Sequence, residues 1–459
     1  MTQPIFLYGP PASGKSTLAR SLGEMLGLKV LDTDAMVEEK AGISIAEIFA
    51  SKGEAAFRSL ENVALAQAVL QATDTPSIIA LGGGTLLREE NRRLAEQSGN
   101  VICLDPPSDE ELKRRLLHAQ SIRPLGDKSH ERALHYASFH RHLATSFTLP
   151  NSMVLVGTGL ADILMQSSRT VFEEFVAQCY PQLSKQPLAI IPTGEIYKTP
   201  ETVMKLWHAF AVAGIGRKDL VMACGGGVTG DLTGFAAATW MRGIPWFNFP
   251  TTLLAMVDAS TGGKTGCDLP DGKNLAGAFH SPRLVVIDTL FLESLPEREL
   301  RAGRAEMLKH QVIQGPGPSP LQVLSAKTIA DNLAVKVKIV REDPFETNGR
   351  RMLLNCGHTV AHALEQTMNY TISHGEAVAI GCVEEAREAV RRGLAPEKWP
   401  DELAECFRAA GLPVALPQGV SFQSLTTTMM GDKKRQKNSV TFALPCGWGD
   451  VRLVKLELS

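Results

Sequence analysis

Gly9-Pro10-Pro11-Ala12-Ser13-Gly14-Lys15-Ser16, directly after the apolar run Ile5-Phe6-Leu7-Tyr8, decides the architecture of the N-terminal third. The order strand, glycine loop, helix closes backbone N–H groups around phosphate oxygens. Lys15 neutralises the terminal phosphates and Ser16 can ligate Mg²⁺, with Gly9, Gly14 and Thr17 completing the nucleotide cradle. A chance glycine turn would lack this strand and helix context. A second cluster, Gly225-Gly226-Gly227-Val228-Thr229-Gly230-Asp231, follows the apolar stretch Leu220–Ala223 and reads as a dinucleotide turn. One active site rarely needs both devices, so the chain reads as two enzymes joined end to end.

Working outward, the first third alternates strand and helix. Lys15–Leu26 reads as a helix; Lys29–Leu31, Ser77–Leu81 and Val101–Leu104 read as buried strands of a parallel sheet. Residues 120–130, charged and broken by Pro124 and Gly126, suit a lid. The pattern lapses at Thr145–Ser152, which gives domains of 1–145, 152–295 and 296–459. Strands are expected at Met153–Val156, Leu188–Pro192, Leu220–Ala223, Trp246–Phe249 and Leu284–Ile287, and mostly helix from Pro296 onward.

The bulk properties set limits. At roughly 100–200 residues per domain, 459 residues hold two to four domains. A net charge of -2 implies no nucleic-acid partner, and the basic run Lys433–Lys437 reads locally as a solvated face. The eight cysteines are scattered without a Cys-x-x-Cys pair, as in a reduced, cytoplasmic protein. No apolar run reaches about 18 residues, and the N-terminus enters a strand at once, so neither a membrane span nor a secretory leader is expected.

Candidate chemistry clusters along both halves. Asp32-Thr33-Asp34 ends the second strand, where two carboxylates can serve a metal and a hydroxyl. Gly82-Gly83-Gly84 allows close approach of backbone to a ligand. Glu306 and Lys309 share one helix face, as do His358 and His362; His374 follows. Two imidazoles and a carboxylate make a catalytic metal site, but spacing cannot choose among the three histidines.

Residues 1 to about 143 resemble shikimate kinase, through the phosphate loop, Asp32-Thr33-Asp34, Phe57-Arg58, Gly82-Gly83-Gly84, Arg123-Pro124-Leu125 and Arg132–x3–Tyr136. The resemblance implies that Asp32 helps hold Mg²⁺ and that Asp34 takes a substrate hydroxyl and its proton. Arg58 and Arg132 would clamp the carboxylate and Arg123 would close onto the transferring phosphate. Shikimate and ATP would be the substrates. The pattern after Tyr136 looks trimmed, since the next domain starts almost at once.

Residues from about 152 to 459 resemble 3-dehydroquinate synthase, through Arg242-Gly243-Ile244, Pro250–Asp258, Gly262–Gly266, Gly272-Lys273-Asn274, Leu354–Thr359 and His374–Val378. The fold implied is a Rossmann-type α/β domain followed by a mainly helical metal-binding domain. Metal ligands would be Glu306, His358 and His374, holding Zn²⁺ or Co²⁺. His362 would be left to substrate and proton transfer. Asp258, Lys264, Asn274, Lys309, Lys336, Arg351 and Asn355 match the substrate pocket. Arg242 matches a phosphate-binding arginine offered across a homodimer, and Lys433 or Lys434 a late phosphate-site lysine. NAD would contact Glu195, Lys198, Gly226, Gly227, Asp231, Thr251, Thr252 and Lys273. The substrate would be 3-deoxy-D-arabino-heptulosonate 7-phosphate, with NAD regenerated in each turnover.

Two departures stand out. Residues 169–175 read Arg-Thr-Val-Phe-Glu-Glu-Phe where the family contacts the NAD ribose, so Glu173 or Glu174 would have to substitute. The family's glutamate eight residues before Asn355 is Thr347 here, with Glu346 one place earlier. Other readings are a different sugar-phosphate cyclase, a polyol dehydrogenase, a kinase for another small polyol, or a non-catalytic N-terminal module.

Overall fold

The computed structural model describes residues 3–105, 129–316, 323–431 and 439–457. Its contacts divide them into two compact units. The first holds residues up to Ser146 together with Leu155–Gln166; the second holds Phe147–Val154 and Ser167 onward.

In the first unit the chain runs β1 (Ile5–Tyr8), α1 (Lys15–Leu26), β2 (Lys29–Asp32), α2 (Thr33–Ala41), α3 (Ile45–Asp74), β3 (Ser77–Ala80), α4 (Glu89–Ser98), β4 (Asn100–Leu104), α5 (Ser129–Ala137) and β5 (His142–Leu149). The strands lie in the order β2-β3-β1-β4-β5, and all of these neighbours pair in parallel. Central strands with helices on both faces are apolar throughout, and β1 is buried at all four positions. The order places the loops after β1, β2 and β3 at one end of the sheet. Those loops carry the glycine loop, Asp32–Asp34 and Gly82–Gly84. The trimmed ending expected from the sequence is not what the structure has: Cys103 pairs with His142 and Leu104 with Leu143, so a fifth strand completes the sheet. His-Leu-Ala-Thr-Ser-Phe-Thr-Leu is half polar, which hid it from an apolar-run criterion.

The second unit continues through β6 (Ser152–Thr158, shared between the units), β7 (Thr170–Glu173), β8 (Ala189–Ile191), α6 (Pro200–Val212), β9 (Val221–Gly225), α7 (Gly227–Thr239) and β10 (Trp246–Pro250). The hairpin β11 (Lys264–Leu269) and β12 (Gly272–Phe279) and strand β13 (Leu284–Asp288) follow. The order β13-β10-β9-β7-β8 is again parallel. Thr199 caps α6, with Pro200 in its first turn. The glycine turn sits where β9 ends and α7 begins, beside the end of β7.

Helices then dominate, as expected: α8 (Glu297–Gln314), α9 (Ala326–Glu342), α10 (His358–Thr367), α11 (His374–Arg391), α12 (Trp399–Ala409) and α13 (Phe422–Gly431). A capping box of Ser373 and Glu376 starts α11. The chain closes with an antiparallel hairpin, β14 (Ser439–Gly447) and β15 (Asp450–Glu457), which the sequence reading left out. Pro445 lies inside β14 and disguised it, at the register shift between Pro445 and Gly447. A large apolar core joins α10, α11, α12 and this hairpin through Val360, Leu364, Val383, Phe407 and Phe442.

Candidate active sites

In the first unit, Gly14 starts α1 at φ 93°, a left-handed conformation that glycine adopts freely. A Cβ on Gly9 would meet the Leu104 carbonyl at 2.5 Å. Lys15 is buried and its Nζ donates to the carbonyls of Gly9 (2.9 Å) and Pro10 (2.7 Å), which holds the ammonium at the mouth of the loop. Ser16 is half-buried beside it and Thr17 is exposed. Asp32 caps α2: its Oδ1 accepts from the N–H groups of Asp34 (3.0 Å) and Ala35 (3.4 Å).

The triple glycine has three separate reasons. A Cβ on Gly82 would press on Glu61 Oε1 (2.7 Å) and Asp34 Oδ1 (2.9 Å). One on Gly83 would press on Pro11, and one on Gly84 would strike Arg58 Nη1 at 2.5 Å. Arg58 thus lies flat against this turn, held by Glu61 at 2.7 Å and Glu54 at 3.2 Å. Glu61 is buried and also accepts from Thr85 Oγ1 at 2.8 Å. Sequence reading missed it, although Glu61 lies one helical turn after Arg58. Tyr136 donates to the Gly83 carbonyl at 2.7 Å. Arg132 Nε is buried without a hydrogen-bond partner among the described residues, a cation donor left over for a ligand. Arg123 and most of the expected lid lie outside the described residues.

In the second unit, ligand atoms of Glu306 on α8, His358 on α10 and His374 on α11 lie within 4.8 Å of one another. His358 Nε2 and His374 Nε2 face the same Glu306 oxygen, at 3.6 and 3.3 Å. His358 Nδ1 faces the Cys356 carbonyl at 3.1 Å, which fixes the tautomer and leaves Nε2 as an electron-pair donor. Glu306 is fully buried; Lys309 touches its Oε2, yet among the described residues neither carboxylate oxygen has a well-aligned hydrogen bond. Burial, then the Lys309 charge, pushes His358 down to about 3, so its ring is neutral. At His374 burial is overridden by the adjacent Glu306 and Glu365 carboxylates, which hold it up at about 10. A site that draws a proton between two carboxylates also draws a metal cation, and the donor set fits one. Glu365, 3.6 Å from His374 Nδ1, escaped the sequence reading, though it lies seven residues after His358 on one helix face. His362 does not join this cluster. It is exposed and lines a cleft with Asn355, His358 and Thr359.

Cations and carboxylates interlock around the Glu306–His358–His374 cluster. Lys336 Nζ reaches Asp258 Oδ1 at 2.6 Å, and Lys309 adds a second positive charge. Both lysines and the nearby His310 hold the Asp258 carboxyl well below its usual range despite burial. A second candidate grouping, Asp258, Glu306 and His310, shares Glu306 with the first. Lys264 pairs with Glu346 at 2.7 Å. Glu346 has φ 60° and Thr347 N–H turns away to Asp343, so it is the glutamate one place early that reaches Lys264. Arg351 is buried against the carbonyls of Gly262 and Pro344, both at 3.0 Å.

At the dinucleotide turn, Gly226, Gly227, Asp231 and Lys264 line one cleft. Thr251 N–H donates to the Gly225 carbonyl at 3.0 Å, and Thr252 Oγ1 accepts from Ala255 N–H. Lys198 bridges Asp231 (2.7 Å) and Asn274 (2.6 Å). Lys273 lies 3.5 Å from both Glu195 and Glu365 and over the Tyr370 ring. Of the two glutamates left open by the sequence, Glu173 ends β7 and its Oε2 accepts the Gly226 N–H at 2.7 Å, while Glu174 is exposed. Arg242 is exposed on a turn where Met241, Arg242 and Gly243 all have positive φ. Lys433 and Lys434 lie outside the described residues.

Family models match three stretches: shikimate kinase over residues 11–149, 3-dehydroquinate synthase N-terminal over 188–302, and 3-dehydroquinate synthase C-terminal over 303–435. A 3-dehydroquinate synthase of Synechococcus sp. is 43% identical over 279 residues, 57% of this chain and 75% of that protein. Among solved structures, 2-epi-5-epi-valiolone synthase from Streptomyces hygroscopicus, with NAD⁺ and Zn²⁺ bound, matches at TM-score 0.60 and 28% identity. It covers 68% of this chain and 94% of its own. A 2-deoxy-scyllo-inosose synthase complexed with carbaglucose-6-phosphate, NAD⁺ and Co²⁺ matches at 0.59 and 25%, over 68% of this chain and 97% of its own.

Proposed function

We infer the activities of this chain from its kinship: it belongs to the 3-dehydroquinate synthase family and carries a shikimate kinase domain ahead of that part. It is a bifunctional shikimate-pathway enzyme. One site phosphorylates shikimate with ATP and Mg²⁺. The other converts 3-deoxy-D-arabino-heptulosonate 7-phosphate to 3-dehydroquinate and phosphate, with NAD and a Zn²⁺ or Co²⁺ ion. The observation that carries this reading is the pairing, in one chain, of the Lys15 loop and the Gly82–Gly84 turn, against which Asp34 and Arg58 lie, with the largely buried Glu306–His358–His374 cluster. The structural neighbours include other cyclases, but the greater identity lies with the dehydroquinate synthases.

In the kinase site, Lys15 and the N–H groups at the start of α1 bind the phosphates. Ser16 and the Asp32 oxygen not used in capping hold Mg²⁺. Asp34 accepts the proton of the attacking hydroxyl. Arg58 and Arg132 hold the shikimate carboxylate, and Arg123 covers the transferring phosphate.

In the synthase site, Glu306, His358 and His374 hold the metal, and Glu173, Lys198, Asp231, Thr251, Thr252 and Lys273 hold NAD about the Gly226–Gly227 turn. When bound, the metal supplies Lewis acidity and NAD⁺ a reversible hydride acceptor. The chain's own residues do the rest. Asp258, Lys309 and Lys336 orient the substrate hydroxyls, and Lys264, Asn274 and Arg351 bind its anionic groups. His362 and Asn355, on the open cleft, handle the mobile proton. Arg242, held outward on its turn, suits a phosphate in a second copy's site, so the working form is a homodimer. Eight unpaired cysteines suit the cytoplasm. No described helix is long and apolar enough to cross a membrane.

Full-length protein given NAD⁺, Zn²⁺ and the heptulosonate phosphate should release phosphate without accumulating NADH. Shikimate-dependent ADP release should vanish in Lys15→Met. Net NADH formation, or faster turnover of sedoheptulose 7-phosphate, would overturn the synthase assignment.

A further inference from the structure

The helix that presents His358 begins with a defect. Its N-cap is Gly357, which has φ 76° and no side chain to accept the exposed N–H groups of the first turn. Nothing larger fits there: a Cβ on Gly357 would lie 2.4 Å from Cys382 Sγ and 2.9 Å from the Cys382 nitrogen. Gly381 faces it as closely, since its own Cβ would lie 2.0 Å from the Gly357 carbonyl. The starts of α10 and the middle of α11 therefore touch through backbone.

The missing cap comes from the other helix. Glu385, fully buried on α11, accepts the Gly357 N–H through Oε2 at 2.8 Å and the Val360 N–H through Oε1 at 3.2 Å. Its carboxylate sits at the positive end of α10, where a negative charge is favoured. Glu385 lies about three turns along the same helix from His374. One helix thus carries one metal ligand at its start and grips the first residues of the helix carrying another.

We propose that Glu385 is a positioning residue for the metal site: by capping α10 it fixes where His358 Nε2 points relative to Glu306 and His374. The proposal rests on the reading of those three residues as the metal ligands. On the backbone side the His358 ring is oriented by its Nδ1, which faces the Cys356 carbonyl, and Cys356 precedes the capped residue directly. Freeing the Gly357 N–H therefore loosens both controls together.

The test uses the full-length chain, Glu385→Gln and Glu385→Asp. Glu385→Gln keeps the shape but presents an amide NH₂ to one N–H; Glu385→Asp keeps the charge with a shorter reach. Zn²⁺ affinity is measured by chelator competition, and the Co²⁺-loaded proteins by their visible d–d absorption, with far-UV circular dichroism and cooperative thermal melting of the full chain as the folding control. Expected is a loss of metal affinity of about 10- to 100-fold in Glu385→Gln, a changed Co²⁺ spectrum, and partial recovery of both in Glu385→Asp. Wild-type affinity and spectrum in both variants, whatever their melting temperatures, would reduce Glu385 to a stabilising cap and overturn the proposal. A wild-type chain that binds no stoichiometric metal, or a His358→Ala chain that binds it as tightly, would overturn the metal-site reading and the proposal with it.

Discussion

Replacing Gly84 by alanine tests the carboxylate clamp of the kinase site through one methyl group. Gly84 has φ −113°, so alanine carries no backbone strain there. The cost is steric and local. The new Cβ would lie 2.5 Å from Arg58 Nη1 and 2.7 Å from Nη2, whereas ordinary contact starts near 3.4 Å. The guanidinium must retreat by about 1 Å, a displacement that can cost on the order of 100-fold when it misaligns a binding group. Arg58 cannot retreat without straining its 2.7 Å bond to buried Glu61. Losing a charge-assisted contact to the substrate carboxylate is worth about 1.5–3 kcal/mol, or about 10- to 100-fold. The KM for shikimate in an ADP-release assay should rise by that factor, with the KM for ATP unchanged. The unchanged KM for ATP reports that the kinase unit itself is folded, and phosphate release by the synthase half reports the same for the second unit. A shikimate KM within about 2-fold of wild type, in protein with full synthase activity, would refute the placement of Arg58 as the clamp.

Three further outcomes are expected. Burial pushes the Tyr136 hydroxyl up to about 12, so it stays a donor at neutral pH; Tyr136→Phe strands the Gly83 carbonyl and should cost about 1–3 kcal/mol in urea unfolding, and an unchanged midpoint would contradict it. Lys264 is 54% exposed, so Glu346→Ala should change stability by less than about 1 kcal/mol. Synthase turnover should nevertheless fall about tenfold, the worth of one charged hydrogen bond; equal turnover would remove Glu346 from the site. His142 places Nδ1 3.0 Å from Asp105 and Nε2 2.7 Å from the Phe139 carbonyl, and the bond to Asp105 raises its pKa above the usual 6.5. A raised folded pKa stabilises fully below 6.5 and loses that contribution as pH climbs through the folded value. The melting advantage of wild type over His142→Gln should therefore shrink as pH rises beyond 6.5 and through the raised folded value, and a pH-independent difference would refute the charged pair.

How far the sequence could be read depended on how local each feature is. Apolar runs such as Ile5–Tyr8 and Leu284–Ile287, each followed by its loop, are set by neighbours along the chain, and those strands sit within a residue or so of their expected places. Strands with mixed composition were harder. β5 is half polar and β14 contains Pro445; both exist because partners across the sheet supply the pairing, which local propensity does not record. The roles of Glu61, Glu365 and Glu385 were likewise invisible. A glutamate on a helix is most often solvated, and only packing shows that these three are buried against Arg58, His374 and the start of α10.

By itself the sequence determined that two nucleotide-handling enzymes share this chain, because a phosphate-binding loop and a dinucleotide turn are short, contiguous and constrained by glycine geometry. It also supplied the candidates for each site by residue type. Spacing along the chain could not choose among the three histidines; the family resemblance pointed to His358 and His374, and tertiary packing is what brings these two, rather than the helically adjacent His358 and His362, together on Glu306. Tertiary structure alone decided that Glu173 rather than Glu174 meets the glycine turn, and that Glu346 reaches Lys264 from one place early. Each of these choices turns on where a side chain points after distant segments have packed. An electrostatic site is fixed by distances of a few ångströms between residues far apart in the chain, and no local pattern encodes those distances.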